Sequence, residues 1–398
     1  MLPDRMRRRT ASYIAALVFP AVLVAALSAC SDTASPGDEV TSPGEQTAAR
    51  SETAGTESRP GIPGRRLVVL TGSPGVTELG EVDPDGVIDT VASSGESILP
   101  GLVPLANGRV AVADSSGVTV YDASLEPRHH VEGDPVGFVT GAVPSETGER
   151  AAFAYAAGDG GRPDAHLIIS IGVDGSSFST VSDSVPVGLT QCADGHISWL
   201  AAASPAPSFD GGELGKDVAV SRITASGPED IRSEVLPAGP APVWGRAGCG
   251  DTVSWVSGDG TAVTVDGGEA TRTTVDTFRP ASEVRGIDTS GGTAADGSIH
   301  RISGDGLIES YTFTPEPRFR SVGSELTGIA GATVTGGGDG RALGVAWGGD
   351  PSTGTFSVTA FDPDDTTCTA DLGTVVLPAD MSLLAATVLG EPELSCGR

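Results

Sequence analysis

The chain has one lysine, Lys216, and one asparagine, Asn107, in 398 residues. Basic residues number 24 against 52 acidic ones. Such a balance excludes electrostatic binding to nucleic acid phosphates. It also excludes a basic patch that would hold the protein on an anionic membrane. There are five cysteines, none in a C-x-x-C pair, which argues against a structural zinc site. No Gly-x-Ser-x-Gly elbow and no P-loop is present. The longest apolar run, Ile14 to Leu27, is 14 residues, short of what about 30 Å of hydrocarbon needs. No long stretch keeps a helical period. The scarcity of lysine and asparagine fits a high-GC genome, and an actinobacterial, Gram-positive source is expected.

That apolar run follows Arg5, Arg7, Arg8 and Arg9 and ends in Leu27-Ser28-Ala29-Cys30. The order of basic, apolar and small residues is that of a cleaved export signal. The tetrad resembles the lipobox of bacterial prolipoproteins. The resemblance implies diacylation of the Cys30 sulfur and cleavage before it, leaving 1–29 as signal peptide. The protein is then expected on the outer face of the cell membrane, with two acyl chains providing stable anchorage. Loss of 1–29 removes four arginines and one aspartate. The mature chain would carry 20 basic and 51 acidic residues, a net charge of −31. Four cysteines remain after Cys30, an even number that reads as two disulfides in an exported chain.

Residues 30–64 are rich in Ser, Thr, Glu, Pro and Gly and hold almost no large apolar side chains. They cannot bury enough surface to fold and are expected to form a disordered tether, with a reach of roughly 30 Å. From Arg65 the texture changes to short Val/Ile/Thr/Ala runs between Gly, Asp, Ser and Pro, the pattern of an all-β domain over 65–398. Turn-then-strand units recur, as in Asn107-Gly-Arg-Val-Ala-Val-Ala, Asp194-Gly-His-Ile-Ser-Trp-Leu and Asp339-Gly-Arg-Ala-Leu-Gly-Val. Glycines 64, 108, 148, 195, 250, 297 and 340 mark steps of 44, 40, 47, 55, 47 and 43 residues. That is the period of a four-stranded propeller blade.

Small-residue segments beginning at Pro135, Pro186, Pro242 and Glu325 suit crowded inner strands. The first unit lacks one, and Met381 to Leu389 is spare, so this segment is expected to complete blade one. The fold expected is a seven-bladed β-propeller. The pattern resembles WD40-like and YVTN-like propellers, although the Trp-Asp dipeptide of WD40 repeats is missing. In this register Cys192, Cys249, Cys368 and Cys396 all fall on one face, the lower one. The register predicts Cys192–Cys249 and Cys368–Cys396, while spacing by itself leaves connectivity open.

On the opposite, upper face, the loops leading into the inner strands carry Glu96, Asp134, Asp183, Glu283, Glu325 and Asp380. A ring of acids would focus negative potential and attract a cationic ligand or basic protein. Arg246 and Arg285 are alternative partners for these acids. Long loops at 158–164 and 201–216, the latter with Phe209, share the face. Asp83-Pro-Asp-Gly and Asp362-Pro-Asp-Asp look like calcium-loop fragments, but turn chemistry explains them better. So too for Ser-Gly-Asp-Gly at 257–260 and 303–306. The five histidines fall on different strands with no common ligand cluster, and Trp199 and Trp255 look like inter-blade packing. No metal or cofactor is implied, and a monomer is expected. The favoured reading is a non-catalytic binding or interaction scaffold. The alternative is a propeller hydrolase or lyase acting on an extracellular polymer, with an Asp pair as general acid and base. The tether should enter the lower face, turning the acid-ringed face away from the membrane.

Overall fold

The computed structural model describes residues 65–95, 100–133, 138–156, 166–202, 217–257, 259–274, 299–302, 308–312, 318–322, 329–336, 342–350, 352–378 and 380–396. Cys30 and the segments expected as signal and tether lie outside them. The described residues contain strands and one 3₁₀ turn. Among the described residues the strands form seven consecutive antiparallel blade sheets and one two-stranded ladder, Asp217–Val218 with Gly239–Pro240. Blades two, three, four and five each have four strands in chain order from the axis outward, and blade six shows three.

Blade one is composite, as its sequence suggested. Its inner strand is Ser382–Leu389, paired antiparallel with Arg66–Ser73 from Arg66↔Leu389 to Gly72↔Ser382. The inner strands then run side by side: Ser382–Leu389, Gly101–Leu105, Phe138–Pro144, Val187–Gln191 and Pro242–Arg246, with Ile329–Gly336 on the other flank of Ser382–Leu389. Two of the expected inner strands are described in part, from Phe138 and from Ile329; 134–137 and 323–328 lie outside the described residues.

The core lies between blades, because each second strand is apolar on both faces. Leu67 and Val69 join Val345, Trp347 and Val358 of blade seven. Val68 and Leu70, pointing the other way, join Val110 and Val112 of blade two. Ala111 and Ala113 of that same strand join Phe153 and Tyr155 of blade three. Ala152 and Ala154 in turn join Trp199 of blade four. Period-two alternation therefore serves two neighbours instead of one core and solvent. Outer strands touch water on both faces: Ile231–Val235 and Glu269–Thr274 are exposed throughout.

Trp199 and Trp255, 1% and 0% exposed, occupy equivalent places in blades four and five. Their indole N–H groups donate to Ser182 Oγ at 3.1 Å and to the Pro240 carbonyl at 2.9 Å, so neither polar edge is left unmet. Near the axis the backbones approach closely. A Cβ on Gly188 would lie 2.5 Å from the carbonyl carbon of Gly245 in the next blade, and Gly188 has φ 64°. The lone asparagine and Gly108 form a left-handed pair, φ 62° and 69°, the Asn-Gly turn that tight hairpins favour.

Both expected disulfides are present, Cys192–Cys249 and Cys368–Cys396. The second sits differently from the simplest expectation. Ser395–Cys396 adds a fifth strand to the outer edge of blade seven, with Cys368 opposite Cys396. The bridge thus ties the chain end to that edge and covers part of it.

Candidate functional site

Inner strands run from the upper face to the lower, and each second strand returns. Asp183 follows outer strand Ser177–Ser182, and Asp380 precedes inner strand Ser382–Leu389. Both therefore stand on the upper face, and both are exposed. The Asp183 loop is shaped by Ser182, whose hydroxyl donates to the Ser184 carbonyl at 2.9 Å while accepting the Trp199 N–H. Asp380 lies in a turn closed by Met381 N–H on the Pro378 carbonyl, 3.0 Å. Glu96, Asp134, Glu283, Glu325 and Phe209, like Arg285, lie outside the described residues.

Arg246 is not a partner for these acids. It closes inner strand Pro242–Arg246 at its lower end, where Nη2 stands 3.3 Å from Glu146 Oε1. Glu146 follows the inner strand of blade three, so this ion pair spans blade four beneath the axis. Sequence reading missed it, since the partners are 100 positions apart and neither sits in a motif.

The lower face holds a second cluster that sequence reading missed. Cys192, buried, and His196, half-buried, flank one hairpin turn, closed by Cys192 N–H on the His196 carbonyl at 2.9 Å. The two disulfide sulfurs and an imidazole nitrogen of His196 lie within 4.8 Å of one another. Asp194 Oδ1 is 2.5 Å from His196 Nδ1. His196 is the one histidine in this group, so the cluster brings no two histidines together. The spacing Cys192-Ala-Asp-Gly-His196 was the available signal, because a tight hairpin brings its first and last residues together.

Several of the described aspartates serve turns. Asp83 Oδ1 accepts the N–H groups of Asp85 and Val87, both at 2.9 Å, and Asp362 Oδ1 accepts that of Asp364 at 2.8 Å. These are Asx turns, as expected for the two calcium-loop look-alikes. At 257–260, Asp259 accepts from the Ser257 hydroxyl and, at 3.0 Å, from Thr261 N–H. Such bonds hold carboxyls below their ordinary range. The Arg128 guanidinium, then backbone N–H groups of Glu126 and Ser124, lower Asp122. The hydroxyl and then the N–H of Ser176 lower Asp174. At Asp259 burial pushes upward, but hydrogen bonds from Ser257 and Thr261 outweigh it and the net shift is down.

A lowered folded value means the stabilisation is complete above the ordinary value of 3.8. It is lost as pH falls through the folded values. The thermal midpoint of the native chain should therefore exceed that of an Asp122→Asn/Asp174→Asn variant at neutral pH. The gap should close between about pH 4 and pH 2, measured by circular dichroism melts across that range.

The chain is a β-propeller by its own sheet topology. No protein-family model matches it, and no curated protein matches it in sequence. Among solved structures it is similar to the β-propeller domain of Myceliophteria_thermophila Cps50 (Swd1), with TM-score 0.46 and 13% identity, covering 73% of this chain and 89% of that one. It is similar to apo AztD from Citrobacter koseri, with TM-score 0.41 and 12% identity over 83% and 99%. It is also similar to a puromycin hydrolase, with TM-score 0.45 and 16% identity over 79% of this chain and only 52% of the hydrolase, about half its length.

Proposed function

We propose that this chain is an extracytoplasmic lipoprotein, held by lipid on Cys30, whose propeller presents its upper face as a non-catalytic binding scaffold for a basic protein or cationic ligand. The observation that carries the reading is the pairing of all four remaining cysteines into two bridges. Disulfides persist in oxidising compartments, and the sequence before Cys30 supplies an export route to one. Both bridges lie on the face where strand Arg66–Ser73 begins. A tether reaching that strand from Cys30 would turn the bridged face towards the membrane and leave Asp183 and Asp380 facing outward.

The test is Cys30→Ser in the full chain expressed in a bacterium. The native chain should take up a palmitate analogue and fractionate with membranes. The variant should take up none, and its membrane-bound fraction should fall at least about tenfold. Equal labelling and fractionation of the two would overturn the anchor. For the binding face, Asp183→Asn/Asp380→Asn should weaken the salt-sensitive binding of polylysine to the purified protein. Unchanged binding would remove the acids from the site.

A further inference from the structure

We propose that the Cys192–Cys249 pair, with His196 and Asp194, is a redox-gated site for a thiophilic divalent cation of the zinc class. Oxidised, the two sulfurs bond to each other and the site is closed. Reduced, two thiolates and one imidazole nitrogen converge from a cluster already within 4.8 Å, which is the donor set such ions prefer.

Three features argue for more than chance proximity. First, the sulfurs stay together without their bond. Beside Cys249, the Gly248 carbonyl accepts from Ser198 Oγ at 2.6 Å, and Ala247 N–H donates to the Gly188 carbonyl at 3.0 Å. Both bonds dock the Cys249 loop onto blade four, which carries Cys192. Second, His196 is already oriented. Asp194 Oδ1 holds its Nδ1 at 2.5 Å, and a carboxylate on one imidazole nitrogen is the usual support when the other binds a metal. Third, Cys249 is exposed while Cys192 is buried, so an external thiolate can reach one sulfur. Of the nearby arginines, Arg246 is paired with Glu146 and Arg222 with Glu234, the latter arginine also donating to the Gly250 carbonyl, while Arg150 donates to Ser170 and Ser176.

The chemistry balances with an external dithiol as reductant. A thiolate attacks Cys249 Sγ, the S–S bond breaks, and Cys192 leaves as thiolate. The second thiol of the reductant then releases Cys249, so two electrons and two protons pass to the protein and the reductant becomes a disulfide. The cation next replaces the two cysteine protons, which go to solvent, and forms two metal–sulfur bonds.

The experiment uses purified protein, reduced with a phosphine, freed of it under argon and titrated with Co²⁺. Reduced protein should bind one equivalent and show the thiolate-to-cobalt charge-transfer and visible bands of a tetrahedral site, and Zn²⁺ should bleach them. Oxidised protein should show none. Cys368→Ser/Cys396→Ser should bind as the native chain does. His196→Gln and Asp194→Asn, which leave both disulfides able to form, should each weaken binding by about tenfold or more. The proposal is overturned if reduced protein gives no such bands, if His196→Gln binds undiminished, or if the signal follows Cys368 and Cys396. Unfolding on reduction alone, read by tryptophan fluorescence, also overturns it, since the hydrogen bonds would then not hold the loop.

Discussion

Deleting residues 381–398 should abolish cooperative unfolding at room temperature, because the lost strand belongs to two seams at once. Leu383, Ala386 and Val388 pack in the cluster between blades seven and one. Ala385 and Leu389 pack in the cluster between blades one and two. Burial of the two leucines and the valine is worth about 1.5–3 kcal/mol each. That already compares with the ~5–15 kcal/mol that holds a typical domain together. The deletion also strips the partner from Arg66–Ser73 and leaves Thr333 Oγ1 without the Ala386 carbonyl, now 3.1 Å away. Urea titration followed by tryptophan fluorescence should show no sigmoidal transition, and adding the 381–398 peptide in trans should restore part of it. A truncated chain that melts within a few degrees of the native one would show that the ring does not depend on its composite blade.

Glycine replacement beneath two aromatic rings should be nearly as damaging. Gly344 is the register partner of Phe361, and Gly331 of Trp347. A Cβ on Gly344 would meet Phe361 Cζ at 2.1 Å, and one on Gly331 would meet Trp347 Cζ2 at 2.2 Å. Each ring lies flat over its glycine and is nearly fully buried, at 0% and 4% exposure. Valine at either position forces the ring out of its slot. The expected cost approaches that of losing a buried aromatic, about 3–5 kcal/mol. For a domain of this size the thermal midpoint should fall by roughly 4–7 °C. A Cβ on Gly227 would meet nothing within 4 Å, so Gly227→Val should change stability by less than about 0.5 kcal/mol. Near-identical melting of all three variants would refute the packing argument.

Much of the architecture was legible because a propeller repeats one local problem. Every blade must turn, run an apolar strand between two neighbours and return, so Asn107-Gly108 and Asp194-Gly195 announce strands at a readable period. The closing strand was legible by subtraction, since blade one had no inner strand and the C-terminus had one to spare. The cysteine pairs followed from the same register. Interactions across the axis were not legible. Glu146 and Arg246 meet because blades three and five curve towards each other, a consequence of closure that no local window contains. The His196 cluster was readable in part: one hairpin joins Cys192 to His196, but Cys249 arrives from the next blade, 57 positions along the chain. The acids illustrate a different confusion. Asp83 and Asp362 look like calcium-loop ligands in sequence and prove to be turn formers, so charge count alone overstates what is free to bind.

The pairing of Arg66 with Leu389 also sets a timetable. The first described strand cannot find its partner until the last part of the chain has emerged, and the ends must be brought together across nearly the whole domain. Contacts so distant in sequence form slowly. A chain synthesised from its N-terminus therefore remains an open ribbon of sheets until its final residues arrive. On the export route proposed above, such a delay would keep the domain from locking before passage across the membrane is complete.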